Sequence, residues 1–271
     1  MDTPPLPEYK VFSVGFRCSV AGILKQMGLK HESYPFDWLV SRLHVIQHCI
    51  ETDFREFLCL ENYVKKHTRT YAHKDTITEG YICDEEPFIN HFYQPEDRRD
   101  EQNTYQYHLV IAHHNIMEEN DYQYYMRCID RFRNLLDSHQ HKMSVYISPL
   151  LVENVEESIC AEYRDCLQFY NFMFEKHKSV LSDSSSLSNS PPLYIGLFII
   201  LFQDKLENHP KLELMYEKFD ESGGKCKIYT LRTNGGFLDG GETYMGIYHE
   251  EVDLIKSAIL RFSDVTYVPY F

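Results

Sequence analysis

At 271 residues, with 43% hydrophobic and 14% aromatic side chains, the chain can build a sizeable core and lies far from the composition of a disordered protein. Its formal charge of −14 excludes a general affinity for nucleic acid or an anionic membrane, since both need a basic face to offset phosphate. The start, MDTPPLPEYK, lacks the basic and apolar regions of a secretory signal, and no apolar run of about 18 residues occurs, so the expectation is an intracellular, cytoplasmic protein without a membrane span.

Along the chain, the apolar run Tyr9 to Gly15 predicts a short buried strand, and Cys18 to Met27 predicts a helix closed near Gly28. Leu39 to Ile50 has helical spacing, with Asp37 placed to cap it and Trp38, the one tryptophan, placed to anchor it in the core. Residues 62–107 are polar and rich in His and Tyr, which predicts an irregular insertion of loops and short strands. YHLVIAHHN, residues 107–115, predicts a strand that runs into a polar His-His-Asn end. In DYQYYMRCIDRFRNLLDS, Tyr125, Cys128, Ile129, Phe132, Leu135 and Leu136 recur at helical spacing, and KMSVYISPLL follows as a strand.

Val155 to Leu181 predicts a long helix, and SDSSSLSNSPP, 182–192, a flexible Ser/Pro loop. LYIGLFIILF, 193–202, is too short to cross a membrane and fits a central strand buried on both faces. KCKIYTLRT predicts a further strand, NGGFLDGG (234–241) a glycine-rich loop, and EEVDLIKSAILRF a closing helix. Strands alternating with helices predict one α/β domain over residues 1–271, a mostly parallel sheet with helices on both faces in a Rossmann-like three-layer arrangement. In such sheets ligands bind beyond the carboxyl ends of the strands. Cys18, His113, His114, Pro149 and the 234–241 loop all fall at predicted strand ends, on one expected rim.

Eight cysteines, at 18, 49, 59, 83, 128, 160, 166 and 226, form no Cys-x-x-Cys pair and sit in apolar patterns, as buried thiols do. No metal site and no cofactor is expected. Cys18 stands apart because it opens a helix, where unpaired N–H groups and the macrodipole favour a thiolate, and Arg17 precedes it. Arg127, Arg131 and Arg133 lie on one helix, with Arg127 and Arg131 four apart on one face, a disposition suited to an anionic group or to surface ion pairs.

SVGFRCSVAGILKQMGLKHESYPFDWL resembles the N-terminal signature of a bacterial and viral family of papain-like cysteine peptidases of uncharacterised function. Ser13, Gly15, Cys18, Ala21, Leu24, Leu29, Ser33, Pro35, Phe36, Asp37 and Trp38 carry the resemblance. It is strong over roughly the first 40 residues and weaker, through Arg127, Arg131, Phe132 and Leu135, to about residue 150. Lys30 stands where that family usually has Arg, AHHN replaces its His-Asp pair, and the Cys-Gly-Ser-Cys-Trp run of papain itself is absent. The resemblance adds a papain-like α+β fold as an alternative and implies a thiol-dependent hydrolase acting on a peptide, acyl or glycan-type substrate. Cys18 would attack a carbonyl, His113 or His114 would carry the proton, and Asp37 or Asn115 would orient the imidazole. Arg17, Trp38, Asn115, Arg127 and Arg131 are the candidate substrate contacts. Two other classes stay open: a Rossmann-like transferase or nucleotide-sugar-binding protein, though without an Asp-x-Asp motif, and a binding module without catalysis.

Overall fold

The computed structural model describes residues 9–15, 18–66, 68–73, 80–85, 87–94, 108–111, 113–150, 155–182, 192–203, 209–233, 243–244 and 247–262. Strand β1 (Tyr9–Ser13) leads into helix α1 (Cys18–Gln26), then come β2 (Leu39–Ser41), α2 (Leu43–Glu51), the single turn α3 (Arg55–Leu58), β3 (Tyr63–Lys65), β4 (Thr68–His73), β5 (Gly80–Glu85), β6 (Phe88–Asn90) and β7 (Leu109–Ile111). The chain continues with α4 (Glu119–Leu136), β8 (His141–Leu150), α5 (Val155–Ser182), β9 (Tyr194–Gln203), β10 (Lys211–Asp220), β11 (Gly224–Thr233), the short β12 (Thr243–Tyr244) and β13 (Ile247–Tyr248), and α6 (His249–Phe262).

The fold is mixed α/β, with a mostly parallel five-stranded sheet in the order β1-β8-β9-β11-β10, in which β10 alone runs antiparallel. Alternating side chains feed two cores. On one face Val11, Val145, Ile195 and Leu231 meet Val20, Ile23 and Leu24 of α1 and Val252, Ile255 and Ile259 of α6. On the other, Phe12, Tyr146, Phe198 and Ile228 meet residues of α2, α4 and α5. That two-sided burial is why LYIGLFIILF reads as an unbroken apolar run. Gly196 and Gly224 have a packing reason: a Cβ at either would strike Tyr170, whose ring stacks on Phe174 one turn along α5. The four parallel strands lie in chain order, without the reversal at which doubly wound sheets open a crevice.

A second, antiparallel sheet has the order β2-β7-β6-β3, and it corrects two expectations. The stretch Leu39 to Ile50 is not one helix: Leu39, Val40 and Ser41 pair with β7, and only Leu43 onward is helical. The 107–115 strand likewise joins this small sheet, so His113 and His114 follow a strand that does not belong to the parallel sheet. The two sheets are joined by an aromatic cluster in which Phe132 of α4 lies edge-on to Phe12, Tyr34, Phe36 and Phe54, with ring centres 5.7–6.1 Å apart. Trp38 is half-buried and lies outside both cores. Within the 62–107 insertion only β3 to β6 and their neighbours are described. The 234–241 loop, most of the Ser/Pro loop and Arg17 lie outside the described residues. The 211–220 strand is not announced by its sequence, KLELMYEKFD, because a β-bulge between Leu214 and Tyr216 breaks the period-two pattern.

None of the seven cysteines whose side chains are described, all but Cys83, is in a disulfide. Cys49, Cys128, Cys166 and Cys226 are buried thiols, Cys18 and Cys59 are half-buried, and Cys160 is exposed.

Candidate functional site

The Ser13-x-Gly15-x-x-Cys18 spacing is a strand-to-helix turn. Val14 continues the β1–β8 ladder by donating to the Val145 carbonyl at 3.0 Å, and the Gly15 N–H then donates to Ser13 Oγ at 3.3 Å. Gly15 has φ of 82°, a left-handed conformation that a residue with a Cβ resists. A Cβ there would also collide with Ser41 Oγ, so the turn is pressed against the end of β2. Cys18 is the first residue of α1 and half-buried, at the end of the helix where N–H groups lack intrahelical partners.

The other residues at that end of β2 follow from register. Ser41 pairs with Leu109, and the Arg42 N–H donates to the His108 carbonyl at 3.2 Å. The His108 ring meets His44 of α2, with Nδ1 of one 3.2 Å from Nε2 of the other and the rings edge to face at 4.9 Å. His44 keeps an edge open to solvent, yet the protein packed around its ring disfavours the imidazolium; Asp165 opposes and Arg42 reinforces that effect. Behind them Glu162 of α5 accepts from Tyr146 Oη at 3.1 Å and lies 3.9 Å from the Arg42 guanidinium. Burial raises the Glu162 carboxyl above its ordinary range, and Arg42 only partly offsets this.

From His44 a cleft of about 410 Å³ runs along α2, lined by Gln47, His48 and Glu51, by Phe92 and Tyr93 of the 3₁₀ turn at His91–Tyr93, and by Gln168 of α5. In its floor Tyr93 Oη lies 3.2 Å from His48 Nδ1 and 3.3 Å from the buried Cys49 thiol, which desolvation pushes up to about 12.

The remaining candidate residues lie elsewhere. Because Leu39 pairs with Ile111, His113 and His114 follow β7 beyond the opposite end of β2, an end that itself lies about 7 Å from Ser41 at the usual rise. His113 is exposed. His114 Nδ1 lies 3.2 Å from Asp121 Oδ1 and its ring stacks on Tyr124 at 4.5 Å, so Asp121 is the acidic partner that AHHN lacks in sequence. Asn115 shapes the turn into α4: its N–H donates to Asp121 Oδ2 at 2.7 Å and its Oδ1 accepts from Met117 at 3.1 Å. Asp37 caps no helix. Its Oδ2 accepts from the Tyr34 N–H at 2.7 Å and from Lys30 Nζ at 2.6 Å, in a site where the two side chains are 1% and 7% exposed. Burial raises the Asp37 carboxyl, against the pull of Lys30. Arg131 reaches the Ser33 carbonyl at 3.4 Å and holds the same loop, Arg127 is exposed, and Arg133 pairs with Asp53 and Asp130 at 2.8 Å.

Sequence reasoning passes over Ser41, Arg42, His44, His108, Asp121 and Glu162. The available signals were weak: His44 and His48 are four apart on the polar side of a helical stretch, and His108 directly precedes an apolar run. Among the described residues no group of three or more His, Cys, Asp or Glu is placed to hold a metal ion, and no helix is long and apolar enough to cross a membrane.

In comparison with known proteins, residues 9–159 match the model of a family described as putative papain-like cysteine peptidase. No curated protein and no solved structure gives a match.

Proposed function

The chain belongs to that family, and from this premise we propose that it is a thiol-dependent hydrolase in which Cys18 is the nucleophile. The observation that carries the proposal is the position of Cys18 as the first residue of α1, directly after a parallel strand and the left-handed turn at Gly15. The α1 N–H groups that have no helical partner face developing negative charge there, on the sulfur and on a carbonyl oxygen under attack. Cys18 Sγ loses its proton to an imidazole and bonds to the substrate carbonyl carbon. The tetrahedral adduct collapses as the imidazolium returns the proton to the leaving amine or alcohol. Water activated by the same imidazole then cleaves the thioester.

The base we assign is His108, held by His44, because register places it at the end of β2 that Gly15 touches. If His108 Nδ1–H donates to His44 Nε2, His108 Nε2 is the atom that takes the thiol proton. A second assignment has its own support: His114 already carries the carboxylate partner, Asp121, that orients an imidazole in catalytic triads. The cleft along α2 would receive the substrate. In architecture, the two cores on opposite faces of the parallel sheet support a three-layer arrangement, and one core joining residues from Phe12 to Ile228 supports a single domain.

Iodoacetamide alkylation of Cys18, followed by peptide mass spectrometry across pH 5–9, tests this. The wild-type thiol should react at pH 6–7 at least about 10-fold faster than an exposed model thiol. His108→Gln should remove most of that advantage, and His114→Gln should leave it. A wild-type Cys18 with no advantage refutes the nucleophile, whereas loss of the advantage in His114→Gln alone transfers the role of base to the His114–Asp121 pair.

A further inference from the structure

Among the described residues, strand β10 is an open edge of the five-stranded sheet, paired on one side only, by β11. Ten-residue edges of this kind template the pairing of another strand unless they are blunted. Two features bear on what fits this one. The bulge between Leu214 and Tyr216 reverses the facing of the strand. Leu212 therefore packs with the α1/α6 core and Tyr216 with the α5 core, although both numbers are even. Leu214, opposite Tyr229, and Phe219 thus share the α1/α6 face, where they stand 49% and 65% exposed. On the α5 face the same edge carries Lys211, Glu213, Lys218 and Asp220.

We propose that β10 pairs antiparallel with β10 of a second copy of this chain, about a two-fold axis between Met215 and Tyr216, so that the two sheets become one. In that register Lys211 faces Asp220 and Glu213 faces Lys218 on the α5 face, each twice by symmetry. Leu212 faces Phe219 on the α1/α6 face, and beside them Leu214 faces Glu217, which already pairs with Lys227 of its own chain at 3.0 Å. Every opposed pair lies on the same face because the bulge sits at the axis. A strand without it would set Leu212 and Phe219 on opposite faces. The sequence KLELMYEKFD is thus complementary to itself in charge and in apolar surface, the condition for an isologous contact. Within one chain Glu213 already pairs with Lys211 at 2.7 Å and with Arg232 of β11 at 3.2 Å, so Lys218 of the second copy joins an existing charge cluster. One strand pair with six apolar side chains is at the small end of specific interfaces, so the dimer should dissociate on dilution through the micromolar range.

Sedimentation velocity of the full chain over that range is the test. The wild type should show a concentration-dependent dimer. Glu213→Lys and Lys218→Glu, each alone, place like charges opposite one another and should sediment as monomers. An equimolar mixture of the two variants restores both charge pairs and should dimerise again. Phe219→Ser, which leaves the charges in place, should weaken the dimer at least about 10-fold, as expected for an apolar anchor of an interface. A wild type that stays monomeric throughout overturns the proposal, and so does a dimer that both single charge reversals leave unchanged.

Discussion

His177 of α5 gives the fold a defined acid sensitivity. The side chain is 3% exposed, its Nε2 lies 3.0 Å from the Pro192 carbonyl and its Nδ1 lies 3.2 Å from Lys142 Nζ. Lys142 is itself 1% exposed and donates at 2.5 Å to the Ser138 carbonyl. With an ammonium donating to Nδ1, the imidazole is neutral and carries its proton on Nε2. Burial, opposed by the Pro192 carbonyl and reinforced by Lys142, lowers the His177 value from 6.5 to about 4. Between those values the unfolded chain binds the proton and the folded chain does not, so acidification favours unfolding. This stability is fully present above pH 6.5 and is lost as the pH falls towards 4, by about 2 kcal/mol at pH 5. His177→Gln keeps an acceptor for Lys142 but cannot titrate. Urea unfolding of both proteins from pH 7 to pH 4.5 is the assay, with the difference between them as the readout, since carboxylates elsewhere contribute to both curves. The variant should start less stable at pH 7 and the gap should close, or reverse, by about 2 kcal/mol at pH 5. Parallel curves would refute the reasoning and mean that the folded His177 titrates near its ordinary value.

Lys30→Met leaves the Asp37 carboxylate buried without its cation and should cost about 3–5 kcal/mol at neutral pH, measured by urea unfolding. The double variant Lys30→Met/Asp37→Asn should recover much of that, and no recovery would mean that Lys30 acts through its stem. Gly15→Ala adds a Cβ at φ of 82° against Ser41 Oγ and should cost roughly 2–4 kcal/mol, read as a drop in Tm. Ser41→Ala in the same chain should restore part of it, because that hydroxyl is buried without a hydrogen-bond partner.

The strand, turn and helix around Cys18, the helix expected within 121–138 and the central strand expected at 193–202 were legible because each is a local pattern: an apolar run, a helical period, a glycine where the chain must turn. What was not legible depends on pairing across long separations. Leu39 to Ser41 continues the period of α2 and becomes a strand only because β7, some 70 residues away in sequence, offers it a partner. His108 and His44 become neighbours by that same pairing. Asp37 looked like a helix cap because Asp before an apolar run usually is one, but the helix starts after Arg42, and the carboxylate closes a turn with Tyr34 and Lys30 instead. Trp38 and the 211–220 strand were misjudged or passed over for reasons of the same kind: a half-buried position in one case, a bulge in the other.

The environment of the other thiols bears on why one of the eight would serve as nucleophile. Cys49 and Cys226 are pushed up to about 12 by burial, and Cys166 is also raised, by burial and by the nearby Glu162. Cys128 is raised by burial although Arg131 opposes it, and Cys59 is raised because its S–H donates to Glu61 at 3.2 Å. Each of these settings stabilises the protonated sulfur, which is inert as a nucleophile. Cys160 is exposed on α5, with several helical residues on its N-terminal side, and so lacks the free N–H groups of a first turn. Of the described cysteines, Cys18 alone opens an α-helix. Alkylation of the whole chain near neutral pH should therefore label Cys18 first and Cys160 second, with the buried thiols modified only on unfolding. An order with Cys160 first would mean that the α1 terminus gives the sulfur no advantage over simple exposure.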